Sequence, residues 1–394
     1  MSALALAGIT VVALEQVIAG PFCTRQLADL GARVIKIERP GGGDQSRGYD
    51  GTVKGLSSHF VWVNRSKESI TLDLKQDAAK QVLAKLLERA DVFVQNLAPG
   101  AARRLGFGPE ELRKRHPRRV VCGISGYGED GPYSVKKAYD LLVQCETVLV
   151  SVTGTPESPA KAGIPVADIA AAMYAFSGIL AALLRRQSTG EGAALDVSMF
   201  ESLGEWMGFP AYFTAYGGSP PPRAGAFHAT IVPYGPFKAG DGRTVFLGIQ
   251  NEREFVRFCA DVLGRAELPQ DARFANGAAR NRHRAEMNAV IEECFSGITA
   301  DQVIERLDKA EIANASLNDM RAFWDHPQLK ARNRWRSVAS EAGEIDTLLP
   351  PINFSDSDPR IGPIPAAGQH TRAILAELGY APAAIDRLAA DGAV

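Results

Sequence analysis

The chain has 394 residues, 46% of them hydrophobic and 23% charged, with a formal net charge of −1. That length exceeds one simple core and suits two domains, or one large domain carrying an insertion. The balanced charge lacks the basic excess of a nucleic-acid binder, so any phosphate-bearing ligand has to be met by a local group of cations.

The first residues, MSALALAGITVVALEQ, have no basic region before a small-residue cleavage site, and Glu15 interrupts the apolar run. They read as a first strand and not as a signal peptide, with the cytosol as the expected compartment. Residues 9–15 (ITVVALE) form a buried strand, 21–31 (PFCTRQLADLG) a helix closed by Gly31, and 32–38 (ARVIKIE) a second strand. The βαβ pattern resumes with a helix over 77–90, a strand over 91–96, a helix over 109–116 and a strand over 118–125. The economical architecture is α/β, a Rossmann-like, doubly wound, mostly parallel sheet covered by helices.

Helices dominate from Tyr139 to Arg186, followed by the strand ALDVSM and a helix from Phe200. The segment 162–184 is long enough to span a bilayer, but Asp168, Pro165 and its many alanines lower its insertion tendency and favour a buried helix. The stiff sequence GGSPPP at Gly217–Pro222 marks a domain boundary. Beyond it, residues 229–249 predict a hairpin around a Gly-Asp-Gly turn, and three helical segments run to about Trp324. A proline-rich stretch from Leu349 to Pro365 leads into a helical tail from Gln369. The expected division is a large domain over 1–220, a small domain over 221–330, and a tail over 331–394 returning to the first.

The five cysteines, Cys23, Cys122, Cys145, Cys259 and Cys294, are scattered, and so are the six histidines, so neither a disulfide framework nor a metal site is expected. Asp168 is the only charged residue between Ala162 and Leu184. An acid there is either a helix N-cap, with helix from Ile169 onward, or a chemically active group, and the two roles are compatible. The loop ERPGGGDQSRG follows the second strand without dinucleotide-binding spacing, so a nicotinamide cofactor is not expected. It is either a flexible loop or a phosphate approach flanked by Arg39 and Arg47. Lys75, Arg103, Arg104, Lys136 and Lys137 also stand at element ends, where a doubly wound sheet places its ligand crevice, and Tyr127 sits in a glycine-rich loop.

Taken together, AGPFCTRQLADLGARVIKIERPGGGD, NRSKESITLDLK, ADVFVQNLAPGAARRLGFG, GISGYGEDGP, IPVADIAAAMYA and GQHTRAILAELGY resemble the class III coenzyme A transferases over nearly the whole chain. The resemblance implies that Asp168 is the nucleophile. It further implies that Val17, Ile18, Arg39, Leu72, Lys75, Asn96, Leu97, Arg104, Lys137 and Tyr139 contact coenzyme A. Coenzyme A enters as a thioester substrate, with no prosthetic group, no metal, no nucleic acid and no membrane partner, on an interlocked homodimer. Ile18 replaces a glutamine of the formyl-transferring members, which argues against oxalate as acceptor. The block GAFHATIVPYGPF looks like that of the dicarboxylate-using members, with Arg47, Arg223 and His228 as candidate partners for a distal carboxylate.

The expected reaction moves coenzyme A from succinyl-coenzyme A to a C4 to C6 dicarboxylate such as mesaconate, itaconate, citramalate, malate or glutarate, through an aspartyl anhydride and an aspartyl thioester. Transfer between two carboxyls of one acid is an alternative. An α-methylacyl-coenzyme A racemase, on the same fold, needs a histidine where this chain has Tyr139, and so lacks one base of the proton shuttle. As a nucleophile, Asp168 is expected to be held ionised by hydrogen bonds despite its apolar flank.

Overall fold

The computed structural model describes residues 4–394, so the first three residues of the N-terminal apolar run lie outside it. Six strands form one parallel sheet: β1 (Thr10–Leu14), β2 (Arg33–Glu38), β3 (Lys67–Thr71), β4 (Val92–Gln95), β5 (Val120–Ser125) and β6 (Ala193–Ser198), in the order β3-β2-β1-β4-β5-β6. Helices cover both faces, so the central strands carry continuous apolar runs: Val11, Val12 and Ala13 on β1 and Val92, Phe93 and Val94 on β4 are fully buried. The strand order reverses between β1 and β4, and a doubly wound sheet opens its ligand crevice beyond the strand ends at that point.

The apolar run holding Asp168 is a helix, Val166–Thr189, closed by Gly190 in the left-handed conformation. It is long and apolar enough to cross a membrane by length and composition, but Ala167, Ala170, Ala171, Ala175 and Ile179 are buried, on a face packed against the helix Ala19–Asp29 and strands β5 and β6. Alanines let the two helices approach closely.

The chain divides into two compact units. The first holds the parallel sheet and comprises residues 1–147, 163–207 and 328–394; the second comprises 148–162 and 208–327. The proline-rich segment at Gly217–Pro222 therefore falls inside the second unit, whose edge runs at Gly208, and the stretch 148–162, expected with the first domain, belongs to the second. In the second unit the hairpin pairs β7 (Tyr234–Lys238) with β8 (Thr244–Gly248), and a strand absent from the sequence reading, β9 (Ala313–Ser316), pairs antiparallel with β8. Phe237, Phe255, Phe258, Phe274, Phe295 and Met287 fill its core.

One feature of the first unit's C-terminal portion also escapes the sequence pattern. Strands β10 (Trp335–Val338) and β11 (Ile345–Leu348) form an antiparallel hairpin. Arg65, fully buried, grips Asp29 through two bonds of 2.9 and 2.7 Å and donates to Thr347 Oγ1 and the Leu348 carbonyl, tying that hairpin to the sheet layer. The tail then covers the outer edge of β3: His370 N–H donates to the Ser69 carbonyl, Ser69 N–H to His370 Nδ1, and Thr71 N–H to Thr371 Oγ1. An uncovered edge strand is a template for unwanted pairing, and the tail removes it.

Leu375 and Ile374 of that tail join the core formed by Ile70, Leu83 and Phe93. Leu375→Ala should cost about 2–5 kcal/mol, the usual range for a buried leucine, and chemical denaturation should show it as a lower midpoint. An unchanged midpoint would mean the tail merely rests on the sheet.

Candidate active site

The crevice between β1 and β4 is a cavity of about 610 Å³, lined entirely by residues of the first unit. Its floor is the turn from β1 into the helix Ala19–Asp29. Asn96, just past β4, clamps this turn from one side: Gln16 N–H donates to Asn96 Oδ1 at 2.8 Å, and Asn96 Nδ2 donates to the Gln16 carbonyl at 2.9 Å. Val17 then takes the left-handed conformation, with φ of 65°. For a β-branched residue this costs on the order of 1–3 kcal/mol and persists only where neighbours impose it. Here the neighbour is Asp44, whose Oδ1 accepts from Val17 N–H at 3.0 Å.

Asp44 itself is fully buried and belongs to a chain of charges without exposure to solvent. Its Oδ2 accepts from Lys36 Nζ at 2.7 Å, Lys36 approaches Glu15 at 3.4 Å, and Lys67 donates to Glu15 at 2.7 Å. Both acids are held below the ordinary carboxylate range by these ammonium groups, although burial alone would raise them. Burial brings Lys67 down to about 8.

Asp168 lies in the first turn of its helix and is not the cap. Pro165 occupies the cap position without a side-chain bond, and the capping oxygen comes from elsewhere in the chain: Asp140 Oδ1 accepts from Ala167 N–H at 2.8 Å and from Asp168 N–H at 3.4 Å. Gln144 Nε2 donates to the other oxygen of Asp140 at 2.6 Å. The Ala19 amide, at the first position of the helix Ala19–Asp29, favours the charged form of the Asp168 carboxyl, as does the helix dipole there. No cation pairs with this carboxyl among the described residues. Burial, together with the nearby charge of Asp140, pushes its pKa up to about 7 against the lowering effect of that single amide. The expectation of an acid held ionised by hydrogen bonds is therefore corrected: Asp168 takes up its proton well above the ordinary aspartate range, because one amide does not offset desolvation and a like charge.

Of the residues the resemblance implies for coenzyme contact, Val17, Arg39, Leu72, Lys75, Asn96, Leu97, Lys137 and Tyr139 line this cavity together with Asp168. Ile18 is buried behind the turn, and Arg104 lies outside the lining with its guanidinium on the Pro99 carbonyl. Arg39, Lys75 and Lys137 are exposed and have no acidic partner among the described residues. Lys136, by contrast, pairs with Glu146, and Arg103 with Glu129 and Glu110. Tyr127 packs edge-on against Tyr133 and does not line the cavity.

The three residues proposed for a distal carboxylate are differently placed. Arg47 is not available: Glu38 takes its Nε and Nη2 at 2.8 Å each, the Pro365 carbonyl accepts a third bond, and Phe60 stacks on the guanidinium. Gly43 serves this pairing, since a Cβ there would meet Glu38 Oε2 at 2.7 Å. In the second unit, Arg223 donates to the carbonyls of Thr155, Ser151 and Pro156, closing the end of the short helix Leu149–Val152. His228 accepts from the Thr230 and Ile231 amides at Nδ1, which leaves a neutral ring with its proton on Nε2, stacked on Tyr234. Burial and Arg284 lower its pKa further.

Sequence reasoning missed Asp44, Asp140 and Gln16. Gln16 lines the cavity, and its Oε1 accepts from Gln45 N–H at 3.0 Å, which turns its amide nitrogen away from that contact.

The model of CoA-transferase family III matches residues 6–371. An acetyl-CoA:oxalate CoA-transferase from Acetobacter aceti is 36% identical over 83% of this chain and 84% of its own length. The succinyl-CoA:glutarate CoA-transferase of Homo sapiens is 32% identical over 99% of this chain and 90% of its own. The crystal structure of a CAIB/BAIF family protein from Brucella suis superposes with a TM-score of 0.84 at 31% identity, covering 96% of this chain and all of that one.

Two outcomes follow from the electrostatics of Asp168. The folded state holds its proton up to about 7, whereas an unfolded aspartate releases it near 4, so stability falls as pH rises through that window and stays low above it. Asp168→Asn, a neutral group of the same shape, should raise stability at pH 7.5 by roughly 2–4 kcal/mol in urea titration. Asp140→Asn keeps an oxygen for the Ala167 amide but removes the like charge; carboxyl NMR should then show Asp168 titrating at lower pH. An upward movement would contradict the assigned cause.

Proposed function

The chain belongs to CoA-transferase family III and is a CoA-transferase; we propose that it moves coenzyme A from succinyl-coenzyme A to a C4 to C6 dicarboxylic acid, with Asp168 as nucleophile. The observation that carries this reading is the half-buried Asp168 carboxyl, with no cation paired to it among the described residues, in a cavity where Arg39, Lys75 and Lys137 are exposed without an acidic partner and Lys136 alone pairs with an acid, Glu146. The cations suit the phosphates of a nucleotide thioester. The carboxyl suits the far end.

A carboxylate is a weak nucleophile in water, but a thioester carbonyl is reactive and fixed proximity compensates. An Asp168 oxygen attacks the donor carbonyl carbon, the carbon–sulfur bond breaks, and a mixed anhydride forms as the thiolate leaves. The thiolate attacks the aspartyl carbonyl of that anhydride, releasing succinate and leaving coenzyme A on Asp168 as a thioester. The acceptor carboxylate then attacks this thioester, and the freed thiolate takes the acceptor acyl group from the second anhydride, which restores the Asp168 carboxylate. A carboxylate of raised basicity is a stronger nucleophile than an ordinary one while still substantially ionised at neutral pH.

The acceptor is read from resemblance, and the relatives divide on it. The glutarate-transferring enzyme supports a dicarboxylate of four to six carbons, while the oxalate-transferring relative is no more distant in identity. Arg47, engaged by Glu38 and outside the cavity lining, is not the partner of the distal carboxylate.

Incubation with succinyl-coenzyme A and a panel of acids, oxalate included, should yield a product mass for glutarate, malate, citramalate, itaconate or mesaconate. Hydroxylamine should trap a derivative on the peptide containing Asp168 only after donor addition. Asp168→Asn should abolish transfer while coenzyme A still binds; near-normal turnover would refute the nucleophile. In the free enzyme kcat/KM should rise with pH and level off above about 7, following the Asp168 ionisation. Lys75→Ala, Arg39→Ala and Lys137→Ala should each raise KM with little change in kcat, as expected of contacts made equally in ground and transition states.

A further inference from the structure

We propose that Asp44 is a positioning residue for the transfer reaction, holding Val17 in its left-handed turn and with it Ala19, which lines the cavity together with Asp168. The inference rests on Asp168 being the nucleophile. It starts from a conflict between sequence and backbone: a β-branched residue occupies a conformation that glycine would adopt freely. Something outside the turn has to impose it. The Asp44 oxygen at 3.0 Å from Val17 N–H is the side-chain partner that does so, and the Ala19 amide lies only two residues further along the chain.

Asp44 is built to stay in place. The same Oδ1 accepts from the amide and hydroxyl of Ser46, each at 2.8 Å, and the backbone N–H of Asp44 donates to Glu38 Oε2 at 2.8 Å. Lys36 holds Oδ2. With Arg47 locking Glu38 in turn, the loop that follows β2 is anchored on both sides of Asp44. Neither Asp44 nor Lys36 lines the cavity, so a change at either reaches the reaction through the Val17 turn or through the neighbouring lining residues Glu38 and Gln45.

The test replaces Asp44 together with Lys36, because removing the acid alone strands a buried ammonium and the protein could fail to fold. Taking both leaves Glu15 paired with Lys67. In Asp44→Ala with Lys36→Met, kcat for transfer from succinyl-coenzyme A should fall by about a hundredfold, the scale of a small misplacement of a reacting group, while KM for the thioester changes little. Asp44→Asn with Lys36→Met retains an amide oxygen for Val17 N–H and should recover most of the loss. Adding Val17→Gly to the alanine pair should also recover activity, since glycine keeps the turn without being held there. A loss confined to KM, or alanine and asparagine pairs of equal kcat with no recovery from Val17→Gly, would overturn the role of Asp44. Wild-type protein that transfers no coenzyme A, or that works equally well as Asp168→Asn, would instead overturn the underlying assignment.

Discussion

A carboxylate removed from water must satisfy its oxygens with protein groups, and the way Asp44 does so organises the first unit's chemistry. Its bonds reach Lys36 on β2, Ser46 in its own loop and Val17 in the turn leaving β1. Lys36 and Lys67 share Glu15, so consecutive strands β1, β2 and β3 are stitched by alternating charges in a solvent-free layer. Such chains contribute little net stability, because desolvation offsets most of the attraction, but breaking one partner away is costly. Their value is geometric. They leave one arrangement of the loop and the turn, and the cavity floor inherits it.

The same economy appears at Asp168. A nucleophile needs negative charge, whereas a buried site resists it, and the structure balances one amide and a helix N-terminus against desolvation and the neighbouring Asp140. Asp140 serves two ends through one group: its oxygen closes the amides of the helix that carries Asp168, and its charge raises the basicity of the carboxyl that the helix presents. A neutral cap such as serine would supply the first service and not the second.

Much of the first unit was readable from residue order, for a clear reason. Parallel strands buried on both faces must be continuous apolar runs, and ITVVAL and DVFV are such runs, so β1 and β4 and the crevice between them follow directly. The strand Ala313–Ser316, by contrast, has the sequence ANAS, without a β-branched or aromatic residue; only pairing with β8 makes it a strand. Asp168 stood out because it is a lone acid in an apolar helix. Asp140 could not, since its partner amides lie 27 and 28 residues on and meet it only after folding. Arg47 misled because an arginine flanking glycines suggests an anion, while the acid that captures it, Glu38, sits at the end of the preceding strand; that spacing of nine residues was the available signal. The departure from full ionisation of Asp168 depends on burial, which residue order alone does not express.

The tail that seals the edge of β3 has a consequence for how the polypeptide emerges from the ribosome. Thr71 and Thr371 are 300 residues apart, with the whole second unit threaded between them. Closing so long a loop carries an entropic penalty of about 5 kcal/mol on a flexible-chain estimate, so the nascent sheet waits with one border unsealed until Thr371 has been made. Chaperone occupancy during that interval should centre on residues 67–71, and truncation after residue 365 should cause precipitation through that border while the rest of the sheet remains intact.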